Sequence, residues 1–212
     1  MKEKIKSFLK KMTNFNLFLI LLFCVFFGLN KGIYKDGKLD EYYKRIQKTE
    51  QQIKYSKATD IGVSVLQYAP VVFAFVSKNP LMYSTYVSAV LISAPTCLIL
   101  KKIVKETRPD DINNHKSFPS GHSMLSFVGA TTILLCLRRF KSRAIIGCVS
   151  IIIAICVAYG RVLAKRHWYI DVCFGGLFGS FITFICYKII FNLNLKYNWF
   201  DYKKSVVDKS DI

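Results

Sequence analysis

The stretch Ser117-Phe118-Pro119-Ser120-Gly121-His122-Ser123-Met124-Leu125-Ser126-Phe127-Val128-Gly129 joins a polar turn to an uncharged apolar run that continues to Leu137. Pro119 fixes one backbone angle, and Gly121 permits an approach that a Cβ would block. Ser120 or Ser123 is placed to cap a helix starting here. His122 then sits at a helix N-terminus, where free N–H groups and the dipole favour an anion. Alone, residues 117–122 have two readings: a capped loop with a surface histidine, or an imidazole beside a phosphate cradle. The apolar run behind them decides the fold.

Similar runs lie on both sides of it, near 13–33, 61–77, 81–101, 144–160 and 169–193, with the central one near 122–138. The 212 residues fit one domain, 1–212, with 52% hydrophobic and 21% charged residues. The charges collect in short blocks between the runs, the distribution of a membrane protein. Several runs are near the lower spanning limit of about 17 residues, and flanking uncharged residues extend them. They are continuously apolar and do not alternate, which argues against a β-barrel. The expected fold is all-α, an integral membrane bundle of six transmembrane helices. Pro70 lies within the second run as a candidate kink.

Lysines precede the first run, as in a secretory signal, but no small-x-small cleavage site follows and the run is bulky and aromatic. It reads as an uncleaved first helix. Segment 34–60 is a polar connector of mixed charge, lying along the membrane interface or standing as a solvated helix, and 195–212 is a polar tail. The net charge of +18 comes from lysines at the ends and between runs. Lipid headgroups account for that placement and nucleic acid does not. The seven cysteines lie inside apolar runs without any C-x-x-C spacing, so buried free thiols are expected.

Three polar blocks border the later runs: 101–109, the hexapeptide 117–122, and 160–171. With six spans, all three fall on the same side of the membrane and can meet. The three histidines of the chain, His115, His122 and His167, all lie in or between these blocks. His167 and Asp171 are spaced i, i+4, so the carboxylate can hold one ring nitrogen and fix the tautomer, leaving the other as a nucleophile. Lys101, Lys105 and Arg108 share a face if the helix continues to Pro109. Lys101, Arg108 and Arg161 supply fixed positive charge suited to phosphoryl oxygens. Together these groups describe phosphoryl transfer through electrostatic stabilisation. The alternatives are headgroup anchoring for the cations and an exposed helix pair for His167 and Asp171. Asp110, Asp111 and Asp171 are dispersed among cations, so neither a metal nor another cofactor is expected.

The chain resembles the type-2 phosphatidic acid phosphatase family of membrane lipid phosphatases. Lys101, Arg108 and Pro109 match its K-x6-R-P motif, Pro119 to His122 its P-S-G-H motif, and Arg161, His167 and Asp171 its S-R-x5-H-x3-D motif. Gly160 stands where the family usually has serine. The resemblance implies that His167 attacks phosphorus to form a phosphohistidine, with Asp171 orienting it. It implies that His122 protonates the leaving oxygen. Lys101, Arg108, Arg161, Ser120 and the Gly121 amide would hold the phosphoryl oxygens. His115 matches no motif position.

A lipid phosphate entering sideways from the bilayer is the implied partner, with membrane lipids around it. Family resemblance puts lipid A first, with undecaprenyl diphosphate close behind and phosphatidylglycerophosphate as a further candidate. A phosphotransferase or a non-catalytic binding protein is the competing class. The expected setting is a bacterial inner membrane with both termini cytoplasmic and the site on the outer face, since the lysine and arginine balance leans that way once the site cations are set aside.

Overall fold

The computed structural model describes residues 50–111, 113–137 and 142–197. The expected run near 13–33, the connector up to residue 49 and the tail from 198 lie outside the described residues. Within them the chain is all helix and loop: α1 Glu50–Val76, α2 Pro80–Val104, α3 Gly121–Cys136, α4 Arg143–Leu163 and α5 Tyr169–Tyr197. Four of these, all but α3, are long and apolar enough to cross a membrane. Five helices therefore stand where five of the six expected spans were placed. At 16 residues α3 is shorter than the other four.

Large apolar side chains cover the outside of the bundle, among them Phe75, Tyr68, Leu91 and Ile103. In water such a surface would be a liability, whereas hydrocarbon makes no demand that it be buried. The fold is an integral membrane helical bundle. The helix α3 runs through its middle, with Met124, Val128, Gly129, Ala130 and Ile133 buried.

Small residues set how closely the helices approach. A Cβ on Gly175 would lie 2.7 Å from the Ser120 carbonyl oxygen, and one on Gly179 would lie 2.4 Å from that of Met124. These two glycines, four apart on α5, form the seam against α3, where close backbone approach raises dispersion contact. Ser123 Oγ donates to Val172 O at 2.6 Å, and Thr131 Oγ1 to Ser180 Oγ at 3.0 Å, across the same seam. On the other flank a Cβ on Gly129 would fall 1.9 Å from Leu66 O, so α1 lies directly on α3.

Three expectations change. The described part of α1 is already helical at Glu50, so residues 50–60 belong to this helix and are no separate connector, and it runs on through Pro70. Gln52 and Thr59 are buried on the face that turns inward, which a mixed-charge sequence hides. The helix α2 ends at Val104, with Lys105 in the left-handed region at φ 50°, so Arg108 has left the helix and shares no helical face with Lys101. Of the cysteines, Cys97, Cys136 and Cys186 are buried as expected, but Cys148, Cys156 and Cys173 face outward. A thiol behaves as a small hydrophobe, and an outer face turned to lipid accepts it as readily as a core.

Candidate active site

Alternating helix directions bring the start of α1, the end of α2, the start of α3, the end of α4 and the start of α5 to one end of the bundle. The polar blocks are laced together there. Ser120 N donates to Asp171 O at 3.1 Å, Ser117 Oγ to Asp171 Oδ2 at 2.5 Å, and Trp168 Nε1 to Thr107 O at 2.9 Å. Each bond joins residues from different blocks.

Ser120 is the N-cap of α3 and accepts from Ser123 N at 3.4 Å. The peptide bond before Pro119 is cis. The first N–H groups of α3, at Gly121 and His122, lack intrahelical partners by the geometry of any helix start. Residues 117–122 therefore form the capped helix start with its histidine at the N-terminus. The crowding expected over Gly121 is absent: a Cβ there would meet only Cys97 Sγ at 3.5 Å, an ordinary contact. Protein packing does not demand this glycine.

His167 lies in the loop before α5 and is 3% exposed. Its Nδ1 is 3.3 Å from Asp171 Oδ2, an oxygen that also accepts from Trp168 N at 3.0 Å. Burial pushes the imidazole down to about 4, opposed by the Asp171 hydrogen bond and charge and reinforced by Lys101 and Arg161. At neutral pH the ring is uncharged. With Nδ1 turned to Asp171, Nε2 carries the lone pair.

Arg161, on the last turn of α4, is 4% exposed. Its Nη1 donates to Asp60 Oδ1 at 3.0 Å, Thr59 Oγ1 at 3.2 Å and Ser56 Oγ at 3.4 Å, all on α1. Its Nε is buried without a partner among the described residues, as is that of Arg108. Buried guanidinium N–H groups left unpaired are costly, and an anion would relieve both. Arg108 and Arg161 also lie close enough to act electrostatically on each other and on His122.

Lys101 differs from the sequence expectation. Its ammonium donates to three backbone carbonyls, Lys116 O at 2.8 Å, Ser117 O at 3.1 Å and Pro119 O at 2.6 Å. An ammonium has three protons, and all are used. Lys101 fastens the loop that carries the second motif and does not face an open anion position. His115 is exposed in that loop.

Residue-by-residue reading missed the contribution of α1. Asp60 Oδ1 lies 3.0 Å from His122 Nε2 as well as from Arg161 Nη1. Alternating helix directions put the described start of α1, and with it Asp60, at the same end as the three motifs. An acidic residue at the lip of the apolar run from Ile61 was the available signal. Gly160 is explained by the same helix: a Cβ there would lie 2.4 Å from Thr59 Cγ2.

The described fold and site are those of an integral membrane helical bundle with a cationic, two-histidine end. Residues 82–195 match the PAP2 superfamily, more than half of the chain, and the chain belongs to that family. Among curated proteins it is 35% identical over 106 residues to an undecaprenyl-diphosphatase of Sulfolobus acidocaldarius, covering 50% of this chain and 46% of the relative. The chain thus spans under half the length of that relative. Among solved structures it resembles LpxE of Aquifex aeolicus, with TM-score 0.53 and 19% identity over 71% of this chain and 92% of that one. It also resembles the first transmembrane PAP2-type phosphatidylglycerolphosphate phosphatase from Bacillus subtilis, with TM-score 0.53 and 22% identity over 87% and 98% of the two chains. At those identities the two structures bear on the fold alone.

Proposed function

We propose that this protein is a membrane phosphatase that hydrolyses a lipid phosphate through a phosphohistidine. The observation that carries the reading is the buried, uncharged His167, held through Nδ1 by Asp171 with Nε2 left as nucleophile, next to Arg161. In the first step Nε2 bonds to phosphorus while the bond to the leaving oxygen breaks and His122 supplies that oxygen with a proton. In the second step water attacks phosphorus, His122 takes its proton, and the P–N bond breaks to release phosphate. The buried Nε–H groups of Arg108 and Arg161 and the amides at the start of α3 meet the charge on the phosphoryl oxygens. Ser120 caps those amides and Lys101 holds their loop.

For the lipid, undecaprenyl diphosphate now has the stronger support, from the 35% identical relative. Lipid A and phosphatidylglycerophosphate rest on family resemblance. We place the chain in a bacterial cytoplasmic membrane with the site on the outer face, from the distribution of lysines outside the site.

The test is phosphate release from purified lipid phosphates and diphosphates, with His167→Ala as blank. Release by the parent and none by a folded variant is expected. Normal turnover by His167→Ala refutes the nucleophile. No release by the parent from any substrate favours a binding protein, and release only with an added acceptor favours a phosphotransferase.

A further inference from the structure

The structure holds a second histidine–carboxylate pair, made with a helix that carries none of the three motifs. Asp60 belongs to α1, and its Oδ1 bridges His122 Nε2 and Arg161 Nη1 at 3.0 Å each. We propose that Asp60 is a positioning residue for the proton donor, fixing the His122 ring so that Nδ1 faces the leaving oxygen. This rests on the phosphatase reading above.

The geometry supports it in three ways. First, the two pairs use opposite ring nitrogens: Asp171 takes Nδ1 of His167, and Asp60 takes Nε2 of His122. One histidine is left to present Nε2 for attack, the other to present Nδ1 for proton transfer. Second, the carboxylate stands on a packed element. A Cβ on Gly62, two residues on, would lie 2.6 Å from Val157 Cγ2, so α1 is pressed against α4 beside the pair. Third, Asp60 engages only one terminal nitrogen of Arg161, which leaves the buried Nε free for a phosphoryl oxygen.

The proton account balances. His122 enters the reaction as the imidazolium, the form that the Asp60 carboxylate at Nε2 favours. As the P–O bond breaks its Nδ1 proton moves to the leaving oxygen, and the Nε2–H stays on the ring, donated to Asp60. When water attacks the phosphohistidine, Nδ1 accepts the proton and the starting state returns. Without Asp60 the ring loses its anchor at Nε2 and turns away.

The role predicts dependence on the leaving group. Full-length parent, Asp60→Ala and Asp60→Asn proteins, purified in detergent, are assayed on octyl phosphate and on p-nitrophenyl phosphate. The alkoxide needs a proton and the nitrophenolate does not. Asp60→Ala should lower kcat on octyl phosphate on the order of 10–100-fold more than on p-nitrophenyl phosphate, part of the full effect of a general acid. A common rise in KM on both substrates accompanies it, from the loosened Arg161. Asp60→Asn keeps the size and an acceptor oxygen, and should show the same bias to a smaller extent. It serves as the variant if the alanine protein does not fold. Equal losses of kcat on both substrates overturn the assignment while leaving the phosphatase reading intact. So does a fall in KM with unchanged kcat, which would make Asp60 a place-holder for the phosphate. A parent inactive on both substrates and on the lipid panel overturns both.

Discussion

Replacing Gly160 by serine tests how tightly α1 is built into the site. The added Cβ would stand 2.4 Å from Thr59 Cγ2, about an ångström inside ordinary contact. Neither atom can give way cheaply, because Gly160 is in α4 and Thr59 is a buried β-branched residue whose Oγ1 donates to Ser56 O at 2.7 Å. Overpacking of this kind costs about 1–3 kcal/mol. Relief by displacing α1 would pull Thr59 and Asp60 off Arg161. Gly160→Ser should therefore lower both the thermal midpoint in detergent and kcat/KM. Thr59→Ser removes the offending methyl and keeps the hydroxyl that Arg161 donates to at 3.2 Å. Combined with Gly160→Ser it should recover most of both losses. The assay is a double-mutant cycle on unfolding and on phosphate release, with a coupling energy of about 1–2 kcal/mol expected. Additive effects, or a Gly160→Ser protein indistinguishable from the parent, would refute the claim that α1 fills the space beside Gly160.

Further outcomes follow from the same geometry. The His167 ring titrates at about 4 in the fold against an ordinary 6.5, so its uncharged form is favoured on folding. The stability tied to it is complete above about pH 6.5 and is lost as pH falls toward 4, by about 3 kcal/mol at most. Denaturation against pH should show that loss, and His167→Gln should flatten it. Lys101→Met leaves three loop carbonyls without a donor, and amide exchange at 116–118 should speed up by a factor reflecting about 1–3 kcal/mol. A changed KM with unaltered exchange would instead mean that Lys101 serves the substrate. Gly175→Ala drives a methyl to 2.7 Å from Ser120 O and should depress kcat through the second motif, measured by phosphate release. Full activity in that variant would show that the seam is looser than its geometry implies.

The helices were legible because runs such as 81–100 and 144–160 are uncharged and do not alternate, and a helix satisfies the backbone of such a run in lipid. The start of α1 was not, because 50–60 is polar on most faces and its inward residues, Gln52 and Thr59, are themselves polar. Hydropathy sees a boundary at Ile61 where the backbone has none. The proposed histidines and arginines were legible as residue types in order, and the fold brings them to one end. The use made of Lys101 was not, since backbone carbonyl acceptors leave no mark in a sequence. The roles of Thr59 and Asp60 were likewise hidden, because they depend on a helix packing against Gly160 and His122, residues far away in the sequence.

The glycine seam between α3 and α5 has a consequence for how such a protein can diversify. The distance between the second and third motifs is set by Gly175 and Gly179 against α3, within the hydrophobic body of the bundle. The loop between the first two motifs does not set it, and Asp111, Asn113 and His115 in that loop are exposed. Insertions near Asn113 can therefore reshape the rim that a lipid headgroup meets without altering the spacing of the two histidines. Headgroup preference and reaction chemistry become separately evolvable, one carried by the rim and the other by a pair of glycines within the helices.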